Sequence, residues 1–97
     1  MKLTEERKAE VLALCKKLVS NRSYSGEENA VADVLKCFMR QKQFDDFCTD
    51  KYGNVIGKIK GDRTGNKVLF DGHMDTVPAD NKEAWKHDPF VPVVEDG

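Results

Sequence analysis

Residues 68–78 read VLFDGHMDTVP, an apolar run followed by a histidine and two acidic residues. The run Val68-Leu69-Phe70 does not alternate between apolar and polar residues, which predicts a strand buried on both faces of an α/β sheet. Open α/β sheets place their ligands just past the carboxyl ends of the strands. His73 is therefore a candidate for a functional site at the end of this strand.

The spacing of His73 and Asp75 is a second reason to place a functional site here. In extended chain, side chains at positions i and i+2 point the same way, so the imidazole and the carboxylate share a face. A carboxylate beside an imidazole is the pairing that orients a metal-binding histidine. The alternative interpretation is an ordinary histidine beside two acidic turn residues. A zinc site also needs at least three protein ligands, and the only other histidine in the sequence is His87. From the residues alone, both interpretations remain open.

Two amphipathic helices are predicted before this strand. The first runs from Thr4, as its cap, to about Val19, and a Ser25-x-x-Glu28 capping box predicts the start of the second. Apolar residues recur at helical spacing in both segments. They are Val11, Leu14, Cys15 and Leu18 in the first, then Val31, Val34, Leu35, Phe38 and Met39 in the second.

Short apolar runs bounded by Gly, Asn and Asp predict strands over residues 44–49, 54–60 and 67–70. The first two are spaced for a hairpin across the turn Lys51-Tyr52-Gly53. Two helices followed by three or four strands predict an α/β layer with a thin core. The buried strand at 67–70 needs neighbours that the sequence does not obviously supply.

Length and composition exclude several classes of function. The 97 residues suffice for one small domain, and 16 basic against 17 acidic residues give a net charge of -1 without charged blocks. No nucleic-acid or membrane partner is therefore predicted. The charged start MKLTEERKAE does not fit a signal peptide, and Cys15, Cys37 and Cys48 form no CxxC pair. Reduced thiols and a cytoplasmic location are the expectation.

Three longer stretches carry a family resemblance. Residues 69–97, LFDGHMDTVPADNKEAWKHDPFVPVVEDG, contain G-H-x-D-T-V-P, then a Trp, an Asp-Pro-Phe and a closing Glu-Asp-Gly. Two further stretches precede them, LVSNRSYSGEENAVADVL and YGNVIGKIKG. Together they resemble the amino-terminal portion of the zinc-dependent peptidase and deacylase family of acetylornithine deacetylase, succinyl-diaminopimelate desuccinylase, aminoacylase and carboxypeptidase G. The resemblance covers nearly the whole chain.

The resemblance implies a fold, a reaction and roles for two residues. The fold is the amino-terminal part of a mixed-sheet di-zinc peptidase catalytic domain, occupying residues 1–97 with no second domain. His73 would be a ligand of one of two zinc ions, and Asp75 the catalytic carboxylate that orients its ring. The reaction would be hydrolysis of an amide in an N-acyl amino acid or small peptide by metal-activated water. Zinc is the implied cofactor, and a homo-oligomer is a possible assembly.

The family's other metal ligands and its general base fall after Gly97. We therefore expect residues 1–97 alone to be inactive. Two alternatives are a non-catalytic binding or interaction module, whose exposed sheet edge and apolar face a partner or a second copy would cover, and a fragment without independent function.

Overall fold

The computed structural model describes residues 2–97 and places two helices before an antiparallel hairpin. Helix α1 spans Glu5–Val19, α2 spans Asn29–Gln41, β1 spans Asp46–Thr49 and β2 spans Val55–Lys58. A single 3-10 turn follows at Lys82–Ala84. Two helices followed by a two-stranded sheet are an α/β arrangement, so the predicted α/β fold class is confirmed.

Helix α1 begins and ends as the sequence predicts. The Thr4 side chain accepts a hydrogen bond from the Arg7 backbone N–H at 3.1 Å, while acidic residues occupy the first turn and lysines the last. Near its middle, Glu10 accepts a 2.6 Å hydrogen bond from Lys42, which follows α2. This bond is the first cause of the lowered pKa of Glu10. No helix within residues 2–97 is both long and apolar enough to cross a membrane.

Helix α2 is the centre of the packed part of the chain. It packs on α1 and on both strands, and it carries Val31 and Ala32, the two buried apolar residues of the described chain. The predicted capping box is wrong. Gly26 has a φ of +86°, which a right-handed helix cannot contain, so α2 begins three residues later at Asn29 without a side-chain cap.

The predicted hairpin is confirmed. Strands β1 and β2 pair antiparallel, with Asp46 opposite Lys58 and Thr49 opposite Val55. Asp50 closes the connection, because one of its carboxylate oxygens accepts the backbone N–H groups of Tyr52 and Asn54, each at 2.9 Å. The hairpin is therefore held by local hydrogen bonds at its tip and by α2 across one face.

Gly57 allows α2 and the hairpin to approach closely. A Cβ on Gly57 would lie 2.8 Å from Met39 Sδ and 2.8 Å from Phe44 Cδ2. We expect Gly57→Val to lower the free energy of unfolding by about 1–3 kcal/mol, because extra methyl groups overpack this contact. Gly61→Val is the matched control, since a Cβ there meets no atom within 4 Å. Equal urea unfolding curves for the two variants would contradict the packing assignment.

The prediction of a third strand at 67–70 is wrong, and with it the expectation of three or four strands. Residues 67–70 form no strand, and Val68, Leu69 and Phe70 are 77%, 88% and 92% exposed. A central strand exists only when strands on both sides satisfy its backbone groups. The only sheet within residues 2–97 has two strands, and neither pairs with this run.

The part of the chain that follows the hairpin consequently extends away from the helices and the hairpin. The Cα radius of gyration is 16.0 Å, compared with about 13 Å for a compact domain of 100 residues. The long dimension of 53 Å is more than twice the short dimension of 22 Å. The segment that follows residue 70 is attached to the helical part chiefly through the connection between α1 and α2, where the candidate site lies.

Candidate functional site

The α1–α2 connection lies beside the segment that contains His73. Ser23 in this connection is 3% exposed, and its carbonyl accepts the Thr76 backbone N–H at 2.8 Å. Tyr24 and Thr76 form an isolated parallel bridge. The bridge holds two segments that are about fifty residues apart in sequence, and it places their side chains next to one another.

His73 and Asp75 are in direct contact, as their spacing predicts. The Nδ1 atom of His73 lies 2.7 Å from the Asp75 carbonyl oxygen and 3.1 Å from its carboxylate Oδ1. Both partners are acceptors, so Nδ1 must carry the hydrogen and the neutral ring must keep its lone pair on Nε2. The side chain is 83% exposed. The arrangement leaves Nε2 able to bind a metal ion or a proton.

The Asp75 carboxylate uses both of its oxygens. Oδ1 accepts from His73, and Oδ2 accepts the Ser25 hydroxyl at 2.5 Å. The Ser25 hydrogen bond is the main reason that the pKa of Asp75 is lowered, and the nearby His73 lowers that pKa further. Asp75 is thus a carboxylate at neutral pH, which is the form that accepts both hydrogen bonds.

Tyr24 anchors the chain that leaves the site. Its hydroxyl accepts the Ala79 backbone N–H at 3.3 Å, and its ring lies 6.1 Å from the ring of Phe90. The guanidinium of Arg22 lies over the Tyr24 ring, 4.9 Å from its centre. Phe90 therefore helps to hold this irregular segment in place.

The donor atoms of the described residues fit zinc at one position only. Nothing in residues 2–97 forms a group of three or more His, Cys, Asp or Glu side chains placed to hold a metal ion. The second histidine, His87, instead contacts Glu95 at 3.1 Å, and Lys86 donates to the same carboxylate. His73 fits one position of a zinc site, because its ring is oriented by a carboxylate and its Nε2 is open. The described residues do not supply a complete site.

Sequence reasoning did not identify the partners of this pair. The sequence pattern predicts a helix cap for Ser25 and no role for Ser23 or Tyr24. Their contacts with the His73 segment cross about fifty residues, and no periodicity reports a contact of that range. The available signal was the presence of both segments in one family resemblance.

Comparison with curated proteins gives hydrolases of the predicted kind. The chain is 29% identical over 104 residues to N-formyl-4-amino-5-aminomethyl-2-methylpyrimidine deformylase of Bacillus subtilis, covering 99% of the chain and 24% of that protein. It is 33% identical over 90 residues to succinyl-diaminopimelate desuccinylase of Alkalilimnicola ehrlichii, covering 92% of the chain and 24% of that enzyme. It is 42% identical over 67 residues to LysW-lysine hydrolase of Deinococcus radiodurans, covering 69% of the chain and 18% of that hydrolase.

The predicted resemblance to the peptidases and deacylases that include succinyl-diaminopimelate desuccinylase is confirmed by these relatives. It spans about a quarter of the length of the first two relatives, which fits an amino-terminal portion of such a hydrolase. No family model matches the chain. No solved structure matches it either.

Proposed function

We propose that this chain contributes one ligand to the metal site of a zinc-dependent amide hydrolase, with His73 as that ligand and Asp75 as the carboxylate that orients it. One observation carries the proposal. The Nδ1 atom of His73 is held by two oxygens of Asp75, and Nε2 is left open on an exposed ring. A histidine fixed at one nitrogen by a carboxylate is the arrangement that metal-binding histidines adopt.

The residues of the chain then have distinct tasks. Asp75 accepts the Nδ1 hydrogen, which fixes the tautomer and makes Nε2 a better donor to a cation. Gly72, on the amino-terminal side of His73, presents no side chain and leaves the approach to the ring open. A divalent metal, when bound, supplies Lewis-acid activation of water and of the amide carbonyl. Residues 2–97 contain no group of three or more side chains placed to hold a metal ion, so they do not supply the remaining ligands or an assigned general base.

The proposed substrates are N-acylated amino acids or related amino compounds, and small peptides. Support comes from the names of the relatives, of which one removes a formyl group and another a succinyl group from a nitrogen-containing compound. The surface that would distinguish one acyl compound from another is not identified by residues 2–97. The proposed compartment is the cytoplasm, because Cys15, Cys37 and Cys48 are all free and exposed.

The 97-residue chain alone is expected to be inactive. Incubation with zinc and a panel of N-formyl, N-acetyl and N-succinyl amino acids should release no free amine above the rate of the His73→Ala variant. A protein that contains the same residues together with the rest of a hydrolase domain should release it. The assay is amine detection under identical metal concentrations. Turnover by the 97-residue chain that disappears in His73→Ala would show that the described residues form a complete site, contrary to this expectation.

A further inference from the structure

Ser25 makes a contact that neither the helix nor the proposed metal ligand explains by itself. Its hydroxyl donates to Asp75 Oδ2 at 2.5 Å, and the other oxygen of the same carboxylate accepts from His73. The three side chains thus form a continuous hydrogen-bonded series. Ser25 is at one end, the charged carboxylate is in the middle, and the imidazole is at the other end.

The helix has no use for the Ser25 hydroxyl. Helix α2 begins at Asn29, its N-cap is Glu28 without a side-chain cap bond, and Gly26 at φ +86° separates Ser25 from the helix. The nearby Glu28 carboxylate accepts from the Gly26 backbone N–H at 2.8 Å instead. The capping chemistry that the sequence pattern predicts is therefore replaced by a contact to the other segment.

The backbone brings Ser25 to Asp75 through a second, independent set of contacts. Tyr24 and Thr76 are bridged in parallel, and the Thr76 N–H donates to the carbonyl of the buried Ser23. Residues 25 and 75 are the neighbours of this bridge, one on each segment. Their side chains meet because the bridge fixes the two backbones, so the hydroxyl has a defined position from which to hold the carboxylate.

We propose that Ser25 is a positioning residue for the site: its hydroxyl fixes the rotation of the Asp75 carboxylate so that the opposite oxygen faces Nδ1 of His73. A carboxylate with one free oxygen can rotate about its side-chain bonds and lose the imidazole, whereas a carboxylate held at both oxygens cannot do so without breaking a charge-assisted hydrogen bond. Ser25 thereby adds to the preference, which the Asp75 carbonyl oxygen at 2.7 Å from Nδ1 also favours, for the His73 tautomer that has its lone pair on Nε2. Its role in metal binding rests on the proposed function of His73.

The test compares side-chain variants of the 97-residue chain by nitrogen-15 NMR of the His73 ring, at a fixed pH at which the ring is neutral. Ser25→Ala is expected to lower the population of the Nδ1–H tautomer in part, because the Asp75 carbonyl oxygen still accepts from Nδ1. Ser20→Ala is the matched control, since the Ser20 hydroxyl donates to the Lys17 carbonyl at the end of α1, and it should leave the His73 signals unchanged. Ser25→Thr retains a hydroxyl and should restore the original population.

Zinc affinity is the second readout. Outer partners of metal ligands change metal affinity by about 10- to 100-fold, and Ser25 acts through Asp75, so we expect Ser25→Ala to weaken zinc binding by about 10-fold or less. A tautomer population in Ser25→Ala equal to that in Ser20→Ala overturns the positioning role. If the tautomer changes but His73→Ala binds zinc as the unaltered chain does, the positioning role stands and the proposed metal function fails.

A matched pair covers the case in which Ser25→Ala does not fold. Ser25→Thr and Ser25→Val have the same shape and differ in the hydroxyl alone, so any general effect of a branched side chain on the connection is common to both. The proposal expects the Nδ1–H tautomer to be more populated in the Thr variant than in the Val variant. Equal populations in these two variants overturn it.

Discussion

Replacement of His73 by alanine is expected to abolish amide hydrolysis in a protein that joins these residues to the rest of a hydrolase domain. The substitution removes the one imidazole whose Nδ1 is held by a carboxylate and whose Nε2 is open. Loss of a metal ligand lowers both metal affinity and the ability to activate water. The measurement is turnover of an N-acyl amino acid together with the metal content of the purified protein, which should fall by one ion.

His87→Ala is the control for this prediction. His87 is the other histidine of the chain, and its ring contacts Glu95 in a cluster with Lys86, apart from the His73–Asp75 pair. Its removal should leave turnover and metal content close to those of the unaltered protein. Unchanged turnover and unchanged metal content in the His73→Ala protein would contradict the assignment of His73 as a ligand.

Asp75→Asn is expected to reduce activity and metal affinity by about 10- to 100-fold, the range found for partners of metal ligands. The amide has almost the same shape as the carboxylate but only one acceptor oxygen. It can therefore accept from Ser25 or from His73, whereas Asp75 accepts from both. The lost negative charge also weakens the basicity of the ring. The effect is smaller than that of His73→Ala because the ligand itself remains.

Metal affinity and kcat/KM, measured side by side, check this second prediction. Asp80→Asn removes an exposed carboxylate five residues further along the chain and serves as the control for the change in net charge. It should have little effect on either quantity. If Asp75→Asn and Asp80→Asn behave alike, the carboxylate of Asp75 does not orient the ligand.

The helices and the hairpin could be predicted because local sequence determines them. Thr4 caps α1, apolar residues recur at helical spacing in α1 and α2, and Asp50 to Gly53 form the turn of the hairpin. The beginning of α2 could not be placed, because the Ser25-x-x-Glu28 pattern is also compatible with a glycine at positive φ and a hydroxyl engaged elsewhere. A capping pattern indicates the region in which a helix starts, but it does not determine the hydrogen-bond partner of the hydroxyl.

The run Val68-Leu69-Phe70 is a segment for which the local sequence predicts the wrong structure. Its lack of alternation is typical of a strand buried on both faces, yet the three side chains are exposed and the run pairs with neither strand of the hairpin. A central strand is buried only where neighbouring strands and helices cover it, and the sequence of the strand itself does not supply them. The apolar pattern correctly marks the segment that leads to His73, but it does not form the predicted strand in this chain.

Half of the candidate site could be predicted in the same way. The two-residue spacing predicts that His73 and Asp75 lie side by side, and the two side chains are in contact. The contribution of Ser23, Tyr24 and Ser25 could not be predicted, because it depends on a parallel bridge between distant segments. The roles of His73 and Asp75 in metal binding stay predictions.

The most direct test of the account is a zinc titration of the 97-residue chain, followed by NMR of both histidine rings and repeated with His73→Ala and His87→Ala. We expect weak zinc binding that perturbs the His73 ring at Nε2, is lost in His73→Ala and is retained in His87→Ala. Identical zinc binding by the chain and its His73→Ala variant, or loss of binding in His87→Ala alone, would contradict the central claim that His73 is the metal ligand.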